Sequence, residues 1–338
     1  MAQTRELGKG SAAFVNPLGL GCMGMSEFYG ASDEETNMAV LDRALELGCS
    51  FWDTANVYGL GKNEELLGRY FAARGNRDKV FLCTKFGIVR DEAGKFLGFN
   101  GKPEYVRQCC EDSLKRLGVD TIDLYYQHRP DPNTPIEETM KALVELKNEG
   151  KIRHIGLSEG AVDEHSVDRM RRAHKVHPIA AYQVEFSPWT LDIETNDMLK
   201  TTRELGISIV AFCPLGRGFL TGAIKSPDDF GPDDYRKTSP RYSPENFPKN
   251  LELVKKIQTF AEKKGVLPSQ LILAWVLAQG NDFITIPGTK RIKYLEENVK
   301  AGEVEFLDAE MKELREIIDT AIISGARYAP AQAVNPPK

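Results

Sequence analysis

Short apolar runs rich in β-branched and aromatic residues recur along the chain, each a helix-length segment from the next. They are Ser50-Phe51-Trp52-Asp53, Val80 to Lys85, Ile122 to Tyr126, Ile152 to Leu157, Ile179 to Val184, Ile207 to Phe212 and Phe283 to Ile286. Runs this short and this continuous fit strands buried on both faces. Between them the apolar spacing switches to the helical period. Met38, Val40, Leu41, Ala44, Leu45 and Leu47 form one stripe, opened by a capping box at Ser32-x-x-Glu35 and closed at Gly48. Thr134-Pro135-Ile136-Glu137 predicts a second capping box with proline at the first helical position, and Gly150 suits the residue just past that helix.

Seven strands alternating with helices, without a linker, predict a parallel sheet closed as a (β/α)8 barrel. A further run, Asn16 to Met25, is expected to pair with the sheet or plug the barrel bottom. The fold class is α/β, one barrel domain over residues 1–338, with its core at about 17–320 and a C-terminal tail from about 321. Residues 87–102 and 215–248 are too polar and proline-broken for packed elements. They are expected to be long loops at the C-terminal face.

Charge narrows the partners. Forty-four Lys and Arg against 49 Asp and Glu give a net charge of −5, so no bulk attraction to nucleic acid or an anionic membrane is expected. A small-molecule partner is expected, and a monomer or weak homo-oligomer. The six cysteines contain no CxxC and fit no zinc template. They read as reduced and mostly buried, with no metal site, as in the cytosol. No apolar segment follows Met1-Ala2-Gln3-Thr4-Arg5-Glu6, so no secretory signal is expected, and Asn335-Pro336-Pro337-Lys338 carries no lipidation motif.

In a barrel the chemistry gathers where strands end. Three consecutive runs end on Asp53, on Thr84-Lys85 and on Gln127-His128, and Tyr58 follows Asp53 in the intervening loop. These four make a coherent proton-transfer site. A tyrosine titrates near ~10, and a neighbouring ammonium lowers that value. Lys85, held by Asp53, supplies the charge, and His128 donates to a carbonyl or shares a proton. Taken singly, each residue is more often a cap, a surface lysine, a structural histidine or packing; only their joint placement favours catalysis. Gly19-Leu20-Gly21-Cys22-Met23-Gly24 spells GxGxxG, but Asn16-Pro17 precedes it and no helix opens before Ser32. It is therefore not a dinucleotide fingerprint.

The segments Phe51-Trp52-Asp53-Thr54-Ala55-Asn56-Val57-Tyr58-Gly59, Thr84-Lys85-Phe86-Gly87, Asp123 to His128, Tyr182 to Ser187 and Pro214 to Gly218 together resemble the aldo-keto reductase superfamily. Gly21 to Met25, His128-Arg129-Pro130-Asp131 and Leu157-Ser158-Glu159 resemble its fungal pyridoxal-reductase-like and plant auxin-induced-like branch. The resemblance implies a barrel that uses NADPH to reduce aldehydes and ketones. It implies Tyr58 as general acid, Lys85 and Asp53 as its tuners, and His128 as the group orienting the carbonyl. It places Ser158 and Gln183 on the nicotinamide carboxamide and Phe212 against the ring, where a tyrosine is usual. Glu159 stands where asparagine is common, which puts its carboxamide contact in doubt. Gly21, Cys22 and Met23 line the nicotinamide side. Pro214, Leu215, Gly216, Arg217 and Gly218 match the loop over the pyrophosphate. Gly288, Thr289, Lys290 and Arg291 lead into a helix bearing Tyr294, Glu297 and Asn298. Two cations at a helix start are also an anion site on physical grounds, and they match the 2′-phosphate pocket.

Phe28, Tyr29, Phe86, Arg129, Trp189 and Arg217 are the candidate substrate residues. Their aromatic share suggests an aromatic or heteroaromatic carbonyl. Arg129 meets either an anionic substituent or Asp131, the latter being the more ordinary role. Two other readings stand beside carbonyl reduction: a redox-sensing regulatory subunit of the same fold, like the potassium-channel β subunits, and alcohol oxidation as the main direction.

Overall fold

The computed structural model describes residues 3–30, 32–160, 162–231 and 234–328. Eight parallel strands form one sheet: β1 (Leu20–Gly21), β2 (Phe51–Asp53), β3 (Phe81–Phe86), β4 (Ile122–Gln127), β5 (Ile152–Ser158), β6 (Ala181–Glu185), β7 (Ser208–Phe212) and β8 (Phe283–Thr285). Strands pair in chain order. The ends meet through bridges Leu18↔Thr285 and Gly21↔Gly288, with Gly19 N–H donating to Thr285 O and Thr285 N–H to Pro17 O, both at 2.8 Å. The sheet thus closes on itself. Helices Glu34–Glu46, Lys62–Arg74, Pro103–Leu117, Ile136–Asn148, Ser166–Val176, Met198–Leu205, Pro268–Leu277 and Ile292–Val299 follow the eight strands in turn. Outside that cycle lie the short Asp192–Thr195 and two longer helices, Phe247–Lys264 and Asp308–Asp319, which pack on each other.

Several expectations shift. Asn16 to Met25 supplies the first barrel strand, paired to β2 through Leu20↔Trp52 and Gly21↔Asp53. The bottom is plugged instead by an N-terminal hairpin, Arg5–Glu6 with Phe14–Val15. Its Leu7 and Val15 join the barrel interior of Phe51, Cys83, Leu124, Tyr126 and Val210. Each such side chain withdrawn from water stabilises by about 1.5–3 kcal/mol. Gly8 lets the plug seat: at φ +77° an added Cβ would fall 2.6 Å from Ala180 O. Residues 87–102 are not an unstructured loop, because Ile88–Arg90 pairs with Phe96–Phe99 as a hairpin over the rim. The 215–248 stretch, aside from residues 232–233, which lie outside the described residues, runs through short 3₁₀ turns into the helix at Phe247.

Both capping boxes are corrected. Asp33, not Ser32, caps the first helix by accepting from Thr36 N–H at 2.8 Å. Asp33 reaches that N–H directly, while the Ser32 hydroxyl turns to Asn37. Pro135 sits one residue earlier than predicted, at the N-cap, and Thr134 donates to Asp131 at 2.7 Å. Gly150 does adopt φ +77° past its helix. Among the described residues no helix is long and apolar enough to cross a membrane. The C-terminal Asn335 to Lys338 lies outside the described residues, as does all of 329–338.

Candidate active site

Asp53, Tyr58, Lys85 and His128, expected to form one site, come together at the C-terminal mouth. Asp53 ends β2, in register with Gly21 on one side and Cys83 on the other. Lys85, one residue from the end of β3, is fully buried and faces Tyr126 of β4 in register. Its ammonium uses all three hydrogens: on Asp53 Oδ1, on Thr54 O at 2.8 Å and on Tyr58 Oη at 3.2 Å. Gln183 holds the other Asp53 oxygen, donating through Nε2 at 2.8 Å. The Tyr58 ring stands edge-on to His128 with centroids 5.7 Å apart.

These bonds set the protonation of the group. Tyr58 Oη accepts from Lys85, so the phenol hydrogen is not spent on the ammonium. Burial would discharge Lys85, but the Asp53 carboxylate and the phenol oxygen outweigh it and hold the ammonium charged. Burial also raises Tyr58 above its ordinary value, overriding the pull of Lys85. The ammonium does pull the phenol down, as expected, but the loss of water around the ring outweighs it and Asp53 cancels part of the Lys85 field. Tyr58 therefore keeps its proton. Burial raises Asp53 as well, and keeps His128 neutral, well below the usual imidazole range, helped by Arg129, Lys85 and Arg90.

The loop carrying Tyr58 is fixed from both sides. Gly59, Leu60 and Gly61 all take positive φ, which turns the chain sharply after the tyrosine. Gly59 N–H donates to Glu27 at 3.1 Å, and Glu27 pairs with Arg90 of the rim hairpin at 2.5 Å. Below, Asn63 binds Thr54 at 2.6 Å, Cys22 O at 2.9 Å and Ser26 at 2.7 Å, while Glu64 binds Thr84 and Arg116. Sequence reasoning missed these supports. Their one signal was polar residues at positions where the helix Lys62–Arg74 turns inward.

Other predicted residues divide. Ser158 lies buried at the end of β5 and accepts from Arg129 at 3.1 Å, leaving its own hydrogen to donate. Phe212 presents a half-exposed ring at the end of β7, with the Arg129 guanidinium 5.7 Å from its centroid. Arg129 does not pair with Asp131, whose carboxylate is taken by Gly101 N–H and Thr134. Glu159 turns away from the mouth to Arg169, at 2.7 and 3.0 Å, and to Ser166. Phe28 and Tyr29 line the rim against Tyr235, at 5.3 and 6.0 Å. Phe86 and Trp189 are corrected: Phe86 is fully buried on Tyr125, and Trp189 stacks on Phe219 at 4.7 Å. Cys22 also points into the core, whereas Met23 is half-buried.

The loop after β7 carries Pro214, Leu215 and three residues of positive φ, Gly216, Arg217 and Gly218. The Gly216 and Gly218 N–H groups are spent inside the turn, on Cys213 O and Leu215 O, so not every N–H of this loop is open to an anion as the motif suggests. At the seam, Gly21 and Gly288 pass backbone to backbone; a Cβ on Gly21 would lie 2.9 Å from Ile286 O. Arg291 is the N-cap of the helix Ile292–Val299 and lies 5.6 Å from the exposed Tyr294 ring, with Thr289 bonded to its main chain. Lys290 donates to Tyr29 O at 2.7 Å and Gly30 O at 2.9 Å, across the seam. Glu297 lies 3.9 Å from Lys293, and Asn298 is buried. A cavity of about 660 Å³ lies elsewhere, lined by Arg5, Lys9, Arg203 and Asp282 and by none of these groups. Among the described residues no cluster of His, Cys, Asp and Glu could hold a metal ion.

Residues 17–319 match the model of the aldo/keto reductase family. The chain is 51% identical over 329 residues to the Schizosaccharomyces pombe protein named aldo-keto reductase yakc (NADP(+)), covering 97% of this chain and 94% of that one. It is 49% identical over 335 residues to aldo-keto reductase str7 of Strobilurus tenacellus, covering 96% and 95%. Among solved structures, a glycerol dehydrogenase of Gluconobacter oxydans superposes with a TM-score of 0.84 at 29% identity, covering 96% of this chain and 97% of that one. A thermostable aldo-keto reductase in complex with the inhibitor epalrestat gives 0.73 at 28%, covering 93% and 99%.

Proposed function

The chain belongs to the aldo/keto reductase family, and from that premise we propose that it reduces a small aldehyde or ketone to the alcohol with NADPH, Tyr58 giving the proton. One observation carries the reading: the buried Lys85 ammonium, fixed by Asp53 and Thr54, donates to the Tyr58 oxygen. Tyr58 then offers its hydrogen to a carbonyl oxygen, and as that proton leaves, the ammonium stabilises the phenolate. His128, held neutral, steers the carbonyl without adding a competing charge.

The chemistry of the donor set fits a dinucleotide with a 2′-phosphate. When bound, that cofactor supplies the hydride. Ser158 has a hydroxyl hydrogen to give to a carboxamide oxygen, Gln183 keeps its carbonyl for the amide, and Phe212 offers a ring face. Arg291, with Lys290 and Thr289, faces the phosphate end. A pyridoxal-like or other aromatic carbonyl is supported by the rings of Phe28, Tyr29 and Tyr235 at the rim.

The test is turnover by the purified protein of a panel of aldehydes and ketones, pyridoxal included, followed by loss of NADPH absorbance. No turnover of any member with an intact fold overturns the reading. One structural neighbour is named a glycerol dehydrogenase, which supports alcohol oxidation as a second reading. Running the same panel as alcohols with NADP(+) decides which direction is faster.

A further inference from the structure

Beside the proton-transfer group lies a set of arginines that the transfer does not use. Arg217 is buried, 8% exposed, and held at φ +57°. Its guanidinium lies 5.5 Å from the Tyr235 ring centroid and 5.1 Å from that of Tyr328. With Arg241 and Arg327 it surrounds one buried carboxylate, Glu185 at the end of β6, at 3.8, 4.0 and 3.7 Å. These are ion-pair distances without hydrogen bonds, and Glu185 Oε2 is buried with no hydrogen-bond partner. Arg327 has a second acid, Asp192. Arg129 has no carboxylate partner among the described residues. Three guanidiniums thus share the buried Glu185 and the exposed Asp192, which leaves an excess of one positive charge, and the unpaired Arg129 adds a second.

This cluster adjoins the reacting groups. Arg129 follows His128 directly and binds its carbonyl at 2.6 Å. Its charge acts on His128 and Tyr58 on one side and on Tyr328 on the other, where Arg217 and Arg327 also act. Buried guanidiniums in excess are costly unless an anion completes them, and the planar fork suits carboxylate and phosphate oxygens.

We propose that Arg129, backed by Arg217, reads an anionic substituent, a carboxylate or a phosphate, on an aromatic carbonyl substrate. The inference rests on the carbonyl-reductase reading and narrows its substrate class. The anion seats on Arg129, the ring lies among the rim aromatics, and the carbonyl reaches Tyr58 and His128.

The experiment compares matched pairs with NADPH: 4-carboxybenzaldehyde against its methyl ester, and pyridoxal 5′-phosphate against pyridoxal. The charged member of at least one pair is expected to win by about 10-fold or more in kcat/KM, and the advantage shrinks with added salt. Whichever pair shows it identifies the anion as carboxylate or phosphate. In Arg129→Gln the charged-to-neutral ratio falls towards one; in Arg129→Lys part of it survives. Circular dichroism and NADPH binding monitor the fold. If the neutral members are reduced as well as the charged ones in wild type, the inference is overturned and the reductase reading stands. If Arg129→Gln keeps the ratios but weakens NADPH and NADH alike, the cations serve the cofactor's pyrophosphate and the inference is again overturned. If neither member of any pair is reduced while other carbonyls of the panel are, the inference is overturned and the reductase reading stands; if nothing in the panel is reduced, both fail.

Discussion

At Lys85 an ammonium is sealed from water and three oxygens take its hydrogens; at Arg291 a guanidinium stands exposed at the rim, above the Tyr294 ring. Both are cations at strand ends of one barrel, yet they do different physical work. In the sealed site the charge is strong because nothing screens it, and the geometry is fixed because each partner is itself held. At the rim the charge is weakened by water and salt, but it is open to a ligand arriving from solution. Lys290 lies between the two cases. It crosses the seam to the Tyr29 and Gly30 carbonyls, so it ties the rim loop before it meets any phosphate.

The largest expected effect breaks the sealed end. Tyr58→Phe removes only the proton donor, so kcat is expected to fall by ~10²–10⁴-fold while the NADPH dissociation constant hardly moves. Wild-type turnover in that variant would mean that another group is the acid. Lys85→Met comes next, because it leaves Asp53 buried without its counter-charge. Breaking a buried pair costs ~3–5 kcal/mol, so a clear drop in melting temperature is expected together with loss of turnover. An active variant of unchanged melting temperature would show that Asp53 and Tyr58 do not depend on the ammonium.

The rim gives a smaller and more selective response. A charge-assisted hydrogen bond is worth ~1.5–3 kcal/mol, so Arg291→Ala should raise the NADPH dissociation constant by ~10–100-fold and leave NADH nearly unchanged. Added salt should mimic part of the loss. Lys290→Ala should weaken NADPH less, since its ammonium already holds two carbonyls. Melting temperature should be unaffected by Arg291→Ala, which separates the two ends in a second observable. Equal losses for NADPH and NADH would make the rim cations structural.

The smallest effect is on acid stability. Folding holds His128 neutral, below its unfolded value of ~6.5. Below that pH the unfolded chain binds a proton that the folded chain refuses, so stability falls as pH drops, by up to ~1.4 kcal/mol per unit from this one group. His128→Gln should flatten the fall in melting temperature between about pH 6.5 and 5. An unchanged slope would assign the acid sensitivity elsewhere.

Much of this was legible in the sequence because period and strand-end chemistry are local. The alternation of seven apolar runs with helical stripes determined the barrel, and Asp53, Lys85 and His128 were readable as strand ends, with Tyr58 beside them. What misled were features whose meaning depends on distant chain. Ser32 and Asp33 compete for the same helix start; Asp33 takes the Thr36 N–H, while Asn37 draws the Ser32 hydroxyl away. Phe86 and Trp189 are aromatic and near the rim in sequence, but Tyr125 and Phe219 draw them into the core. Arg129 and Asp131 are two apart, yet Gly101 and Thr134 claim the carboxylate first.

The sequence by itself determined a closed parallel barrel and which ionisable residue types stand at its strand ends, since strand length, periodicity and side-chain chemistry are carried by neighbouring residues. Only the tertiary structure decided how those charges balance. Whether Tyr58 is raised or lowered depends on how much water its neighbours exclude. Whether Lys290 is free for a phosphate depends on a loop 260 residues away reaching its ammonium. Glu185 gathers Arg217, Arg241 and Arg327 from three separate segments, because closing a barrel brings strand ends and tail to one mouth, and no local pattern records which charges will meet there.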